Sequence, residues 1–289
     1  MRPYDVAVAY RIYPKLSPPA AALQVANDKY QMSDLCLRSF KKSLGELRVK
    51  IWVLLDGCPP SYRELFLQYF APEDLIFINL DGIGNQATFE TQINILLKQQ
   101  DAEVIYFAED DYFYLPQQFP RLVRFLEANP NVHFVSPYDH PDCFSLELHR
   151  HRISVEVFDR KYWSTAGSTC LTFLTKRETL ESTQNAFRTY SRGNHDCSMW
   201  LSLTKTVVFN LSKLCRLALR KEHRAQTRLV AKAWRYGWEQ ILFGRRWNLW
   251  IPIPGIATHL DADAIPSSVD WLSELIQKYE DFTGFAVSK

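Results

Sequence analysis

Three consecutive acids, Glu109, Asp110 and Asp111, stand at the end of the apolar run in "AEVIYFAEDDYFYLP" (102–116). Carboxylates crowded this closely repel one another and lose hydration when partly buried, so the arrangement is costly unless a cation or hydrogen-bond donors balance it. Three chemical readings compete. The plainest is a solvated turn or helix cap, the favourite for a lone Asp. The second is a site for Mg²⁺ or Mn²⁺, hard cations that prefer oxygen ligands and often bind through one or two carboxylates plus substrate phosphates. The third is a metal-dependent hydrolase. The position after a buried strand favours a nucleotide diphosphate, because a metal there would bridge carboxylate and phosphates and neutralise charge on a leaving group.

The elements that must hold these acids alternate. "YDVAVAYRIY" (4–13), "VKIWVLLD" (49–56), "DLIFINL" (74–80) and "AEVIYFAE" (102–109) read as strands. Between them "NDKYQMSDLCLRSFKKSL" (27–44), capped by Asn27 or Asp28, "PSYRELFLQYF" (60–70) and "NQATFETQINILLKQQ" (85–100) read as helices. A helix over 115–130 and a strand over 131–139 come next, then strands over 149–158 and 168–176 and helices over 177–190 and 196–205. A chain built this way forms an α/β fold, a mainly parallel sheet flanked by helices. Ligands bind such sheets beyond the carboxyl ends of the strands, where strand order reverses. Asp56 and the three acids lie at two such ends.

Composition sets the frame. The 289 residues, 47% hydrophobic and 14% aromatic, suffice for one large core, as a single domain or a domain with an appended subdomain. The six cysteines lack zinc-site spacing and several lie in apolar segments, which points to a reducing compartment. The N-terminus has no basic-then-apolar leader and no apolar stretch reaches the ~20 residues of a membrane span, so a cytoplasmic chain, soluble or peripheral, is expected.

The opening βαβ run, Asp56 in "LLDG", "GIGNQATF" (82–89) and "AEDDY" together resemble a nucleotide-sugar-dependent glycosyltransferase of the GT-A fold, family 2-like, over roughly residues 4–205 with a weaker echo near 255–271. The resemblance implies a Rossmann-like catalytic domain over 1–205 and a basic, helical C-terminal extension over 206–289 packing on it. The family's DxD motif here begins with Glu109; the resemblance then makes Asp111 the metal ligand, with Asp110 and Glu109 on ribose, sugar or metal-bound water. It maps Asp56 onto the acid that recognises the nucleobase, commonly uracil, whereas a turn residue before Gly57 is the competing reading. Tyr10 and Arg11 would flank the same base and the phosphates.

Inverting members take the acceptor proton on an acid at a helix N-terminus downstream. "SRGNHDCSMWL" (191–201) supplies that place with Asp196; the family often has Glu-Asp there, and His195 leaves open which of the two is the base. N-capping by Asn194 or Asp196 is the bland alternative. Many GT-A enzymes add a C-terminal His to the metal, a role that His259 could fill, with Asp261 and Asp263 nearby, although a lone His is more often structural. The cofactor implied is Mn²⁺ or Mg²⁺, the donor a UDP-sugar, and the acceptor a hydroxyl, lipid-linked in one version, in cell-surface polysaccharide or glycolipid assembly.

Residues 211–247 hold ten Lys or Arg against two acids, and four of the eight tryptophans fall between 234 and 250. An ordinary helix packed on the catalytic domain explains this first, and contact with the inner face of a membrane second. Nothing else resembles a nucleic-acid recognition module. Two other functions compete with glycosyl transfer. A nucleotidyltransferase should carry a glycine-rich phosphate loop after the first strand, and "YRIYPKLSPPAAAL" (10–23) has no glycine. A catalytically silent nucleotide-sugar-binding or scaffold protein would bind nucleotide without turning it over.

Overall fold

The computed structural model describes residues 3–16, 28–149, 153–261, 264–271, 273–275 and 277. The alternation begins with β1 (Val6–Ile12), α1 (Lys29–Ser43), β2 (Val49–Asp56), α2 (Ser61–Leu67), β3 (Leu75–Leu80), α3 (Asn85–Lys98) and β4 (Val104–Glu109). After β4 come β5 (Tyr112–Tyr114), α4 (Phe119–Ala128), β6 (Phe134–Val135), α5 (Asp142–Ser145), β7 (Val155–Phe158), β8 (Lys161–Ala166) and β9 (Phe173–Lys176). The last elements are α6 (Arg177–Phe187), α7 (Asp196–Thr204), α8 (Leu211–Leu219), α9 (Arg224–Leu242), β10 (Leu249–Ile253) and β11 (Ala257–His259).

The main sheet has the order β3-β2-β1-β4-β9-β6-β10-β8-β7. With β1 taken as up, β2, β3, β4, β6, β10 and β7 run with it; β9 and β8 run against it. This is the α/β, Rossmann-like arrangement of a mainly parallel sheet. Strand order reverses between β1 and β4, since β2 and β3 add on one side of β1 and β4 on the other.

Side-chain alternation explains the two cores. Val6, Val8, Tyr10 and Ile12 point to the face covered by α1, α2 and α4, where Phe40, Phe66, Tyr106 and Phe125 pack. Ala7 and Ala9 point the other way, toward Phe89 and Ile93 of α3, and Phe187 and Trp200 fill the same layer farther along the sheet. Each large apolar side chain so buried contributes about 1.5–3 kcal/mol. Asp28 caps α1, accepting from the Gln31 N–H at 2.8 Å; Asn27, the other cap candidate, lies outside the described residues.

The C-terminal extension is only partly helical, a correction to the expectation for 206–289. β10 lies inside the main sheet, parallel to β6 and antiparallel to β8, and β11 pairs with β5 in a small two-stranded sheet. A boundary at 205 therefore does not separate the sheet from the C-terminal elements. Pro252 hides this strand, because proline cannot donate to a ladder and argues against a central strand. β6 pairs only with Leu249 and Trp250, so Pro252 lies beyond the end of that neighbour. Among the described residues no helix is long and apolar enough to cross a membrane.

Candidate active site

At the switch point the register of β1 and β4 sets Arg11 directly opposite Glu109. The guanidinium bonds Glu109 and also the side chain of Asn85, the first residue of α3, with a further bond to the Asn85 carbonyl at 3.2 Å. Thr172 donates to the second Glu109 oxygen at 2.8 Å, and Asn85 Nδ2 donates to the Tyr190 hydroxyl at 3.0 Å. Burial opposes the charge on Arg11, but Glu109 more than compensates and keeps it firmly protonated.

Asp110 and Asp111 form the two-residue turn that ends β4, and they face different partners. Asp110 is buried, with Lys29 Nζ at 2.9 Å and the Tyr13 N–H at 3.2 Å. Burial and the neighbouring Asp111 hold its carboxyl above the usual carboxylate value even with the lysine beside it. Asp111 faces His259. The β5–β11 ladder places His259 opposite Tyr112, and the Leu260 N–H donates to the Asp111 carbonyl at 2.8 Å. His259 Nε2 thereby comes to 3.0 Å from Asp111 Oδ2, while its ring stacks on Tyr112 with centroids 5.1 Å apart. Burial alone would pull the imidazole down, yet the Asp111 carboxylate raises it to about 9. Burial likewise pushes Asp111 up, and His259, Lys29 and Arg11 outweigh it, so the carboxyl sits well below the usual range.

The other Asp111 oxygen, Oδ1, is buried and accepts no hydrogen bond. An unpartnered carboxylate oxygen beside an imidazole nitrogen is a fitting pair of donors for Mn²⁺ or Mg²⁺, which fill their remaining positions with phosphate oxygens and water. Among the described residues no group of three or more His, Cys, Asp or Glu side chains could hold a metal by itself, so the substrate would have to complete the shell. Asp263 lies outside the described residues.

Asp56, at the end of β2, is almost fully buried. Its Oδ1 accepts from the Ile83 N–H at 2.7 Å, and Oδ2 from the Gly84 N–H at 2.9 Å and Thr88 Oγ1 at 3.4 Å. Gly84, at φ +82° and ψ 168°, adopts a conformation that only glycine tolerates, and this turns two consecutive amides onto one carboxylate. Arg11, Lys29, Asp56, Asn85, Asp110 and Asp111 line a cavity of about 500 Å³.

Tyr10 does not line it. The residue before Arg11 on a strand must point to the opposite face, and its ring is buried against Phe40 and Phe66, with centroids 6.0 and 5.2 Å away. Tyr13 lines the cavity instead. His195 caps α7 and Asp196 is its first residue. His195 Nδ1 and Asp196 Oδ1 are 2.5 Å apart, the Cys197 N–H donates to the same oxygen at 2.6 Å, and the hydrogen bond to Asp196 raises the imidazole above its ordinary value. Neither residue lines the cavity, but the Asp196 charge acts on Tyr190 and Cys170, which also feel Glu109. Sequence reasoning misses Lys29 and Asn85: Asn85 stands in "GIGNQATF" without a role, and Lys29 looks like an ordinary first-turn residue of a helix.

No curated protein matches the chain in sequence. Three solved structures match the chain at low similarity. A protein from Desulfovibrio desulfuricans G20 assigned as a nucleotide-diphospho-sugar transferase has 11% identity and a TM-score of 0.42, covering 80% of this chain and 97% of its own. A mannosyltransferase from Pyrobaculum calidifontis, solved with GDP-Man and Mn²⁺, has 12% identity and a TM-score of 0.40 over 84% and 88%. A cytidylyltransferase from Leptospira borgpetersenii has 12% identity and a TM-score of 0.36 over 62% and 63%. Similarity this low does not discriminate between sugar transfer and nucleotidyl transfer. The sequence profile does: the glycosyl transferase family 2 profile matches residues 29–197, which run from Lys29 through Asp56 and the three acids to Asp196. The chain belongs to glycosyl transferase family 2 and is a glycosyltransferase.

Proposed function

We propose that the chain is a metal-dependent, inverting glycosyltransferase that moves a sugar from a nucleotide-diphosphate donor to a hydroxyl acceptor. The observation that carries this reading is the meeting of Asp111 and His259 at 3.0 Å, with an Asp111 oxygen buried and unpartnered, at the edge of the cavity on the switch point. Mn²⁺ or Mg²⁺ held by these two residues would supply charge neutralisation on the departing diphosphate. Asp110 and Glu109, held by Lys29 and Arg11, would accept from sugar or ribose hydroxyls. A UDP-sugar is the proposed donor. Oδ1 of Asp56 keeps one lone pair for a uracil N–H while its other contacts hold the 82–85 loop in shape.

Asp196 is the proposed base. It takes the proton of the acceptor hydroxyl as that oxygen bonds to the anomeric carbon, and the bond from this carbon to the diphosphate oxygen breaks with its electron pair leaving on the phosphate. Attack opposite the leaving group inverts the anomeric centre. His195, hydrogen-bonded to Asp196, positions the carboxylate. All six cysteines are free, in keeping with the reducing, cytoplasmic setting proposed for the enzyme.

The test is binding of UDP, GDP and CDP by calorimetry with and without Mn²⁺, on the wild type and on Asp111→Ala. Metal-dependent nucleotide affinity in the wild type and its loss in a folded Asp111→Ala variant are expected. Equal Mn²⁺-dependent affinity in both proteins would remove Asp111 from the site.

A further inference from the structure

Helix α9 has two unlike faces. Gln226, Val230, Ala233, Gly237 and Ile241 are buried, and the apolar members pack with Leu148, Leu201, Val207 and Leu217. The opposite stripe, at helical spacing, is exposed and runs Arg224, Arg228, Lys232, Arg235; past a kink at Gly237 (φ −119°, ψ 18°), Trp238 and Leu242 are exposed as well. Its first three turns are basic and its end is apolar. Phe243 extends that end; it is 79% exposed, and its ring centroid lies 6.2 Å from that of Trp238.

Solvent alone does not account for this pattern. A solvated face alternates charge sign, and like charges at i, i+4, such as Arg224, Arg228 and Lys232, destabilise a helix unless an anion balances them. Glu239 is the one acid on the exposed face, and none of the four cations forms an ion pair with a carboxylate among the described residues. A basic face ending in exposed Trp, Leu and Phe matches the chemistry of an anionic bilayer interface, where arginines meet phosphates and the aromatic tip enters the headgroup boundary. Nucleic acid would meet the basic turns but leave the apolar end uncovered. The helix also adjoins the proposed base. Tyr236 OH lies 3.4 Å from where a Cβ on Gly193 would sit, and the Lys232 charge acts on His195.

We propose that the outward stripe of α9 docks the enzyme on an anionic lipid surface, so that the hydroxyl acceptor reaches Asp196 from the membrane side. The docking stands by itself; the presentation of the acceptor rests on the proposed role of Asp196.

Flotation of the full chain with phosphatidylcholine vesicles, with and without phosphatidylglycerol, in low and high salt, tests it. The wild type should float with the anionic vesicles in low salt and be released by high salt. Each arginine should contribute about five-fold to partitioning, so Arg224→Gln/Arg228→Gln/Arg235→Gln should weaken binding about 100-fold. Trp238→Ser/Phe243→Ser should weaken it while preserving its salt dependence. Nucleotide affinity measured on the same samples should be unchanged, which shows that the variants are folded. A wild-type chain that stays out of the anionic vesicle fraction in low salt overturns the proposal, and so does one that binds single-stranded RNA but no vesicle. An Asp111→Ala variant that still floats but binds no nucleotide supports docking independently of the donor site.

Discussion

Lys29→Met tests the electrostatic logic of the site, because both partners of the Lys29–Asp110 pair are buried. Their side chains are 8% and 10% exposed and the contact is 2.9 Å. The substitution keeps an unbranched chain in place and deletes the charge, leaving Asp110 with the Tyr13 N–H and with Asp111 as an unfavourable neighbour. Removing one partner of a buried pair costs about 3–5 kcal/mol when the remaining charge is retained. Asp110 escapes that cost by taking up a proton. A penalty of this size sets the folded-state pKa of Asp110 in the variant well above its unfolded-state pKa. Between those values the native state binds more protons than the unfolded state, so the variant loses stability as pH rises. The gap between wild type and variant in urea unfolding of the metal-free protein should therefore be small at pH 5 and reach its full size by pH 8. Adding Asp110→Asn to Lys29→Met should recover most of the loss at pH 8, since no buried charge remains. A penalty under about 1 kcal/mol at pH 8, or one of equal size at both pH values, would refute the reasoning.

Three further outcomes are expected from the geometry. Asp196→Asn keeps the size but cannot accept the acceptor proton, so turnover should fall by about 10²-fold or more with donor affinity retained; near-normal turnover, read by product formation, would return Asp196 to a capping role. The His259 imidazole is raised to about 9 in the folded chain, so its stabilising contribution is complete below about pH 6.5 and is lost as pH rises through about 9; the metal-free wild type should lose stability across that window more steeply than His259→Gln, as tracked by urea midpoints. Asp56→Ala strips the acceptor from two backbone amides and should cost about 3–6 kcal/mol, at about 1.5–3 for each hydrogen bond to a charged group, with a higher hydrogen-exchange rate at Ile83 and Gly84; an unchanged midpoint would show that the loop holds itself.

The half of the candidate site around Asp56 and the three acids was legible in the chain, because strands and helices of this kind carry local periodicity and acids at the ends of apolar strands stand out from it. The βαβ order, Asp56 at the end of β2 and the three acids at the end of β4 depend only on neighbours in sequence. What each acid touches does not. Arg11 meets Glu109 because β1 and β4 pair in one register, and Tyr10 turns into the core because its neighbour takes the other face. Lys29 becomes the counter-charge of Asp110 only when α1 packs beside the β4 turn, a contact to which no periodicity points. The C-terminal strands were obscured by Pro252 and by brevity, yet β10 fills a gap in the main sheet and β11 carries His259 to Asp111. A hydrogen-bonded ladder between distant segments joins those two side chains, and such pairings are fixed by the closure of the whole sheet, not by the residues on either side of them.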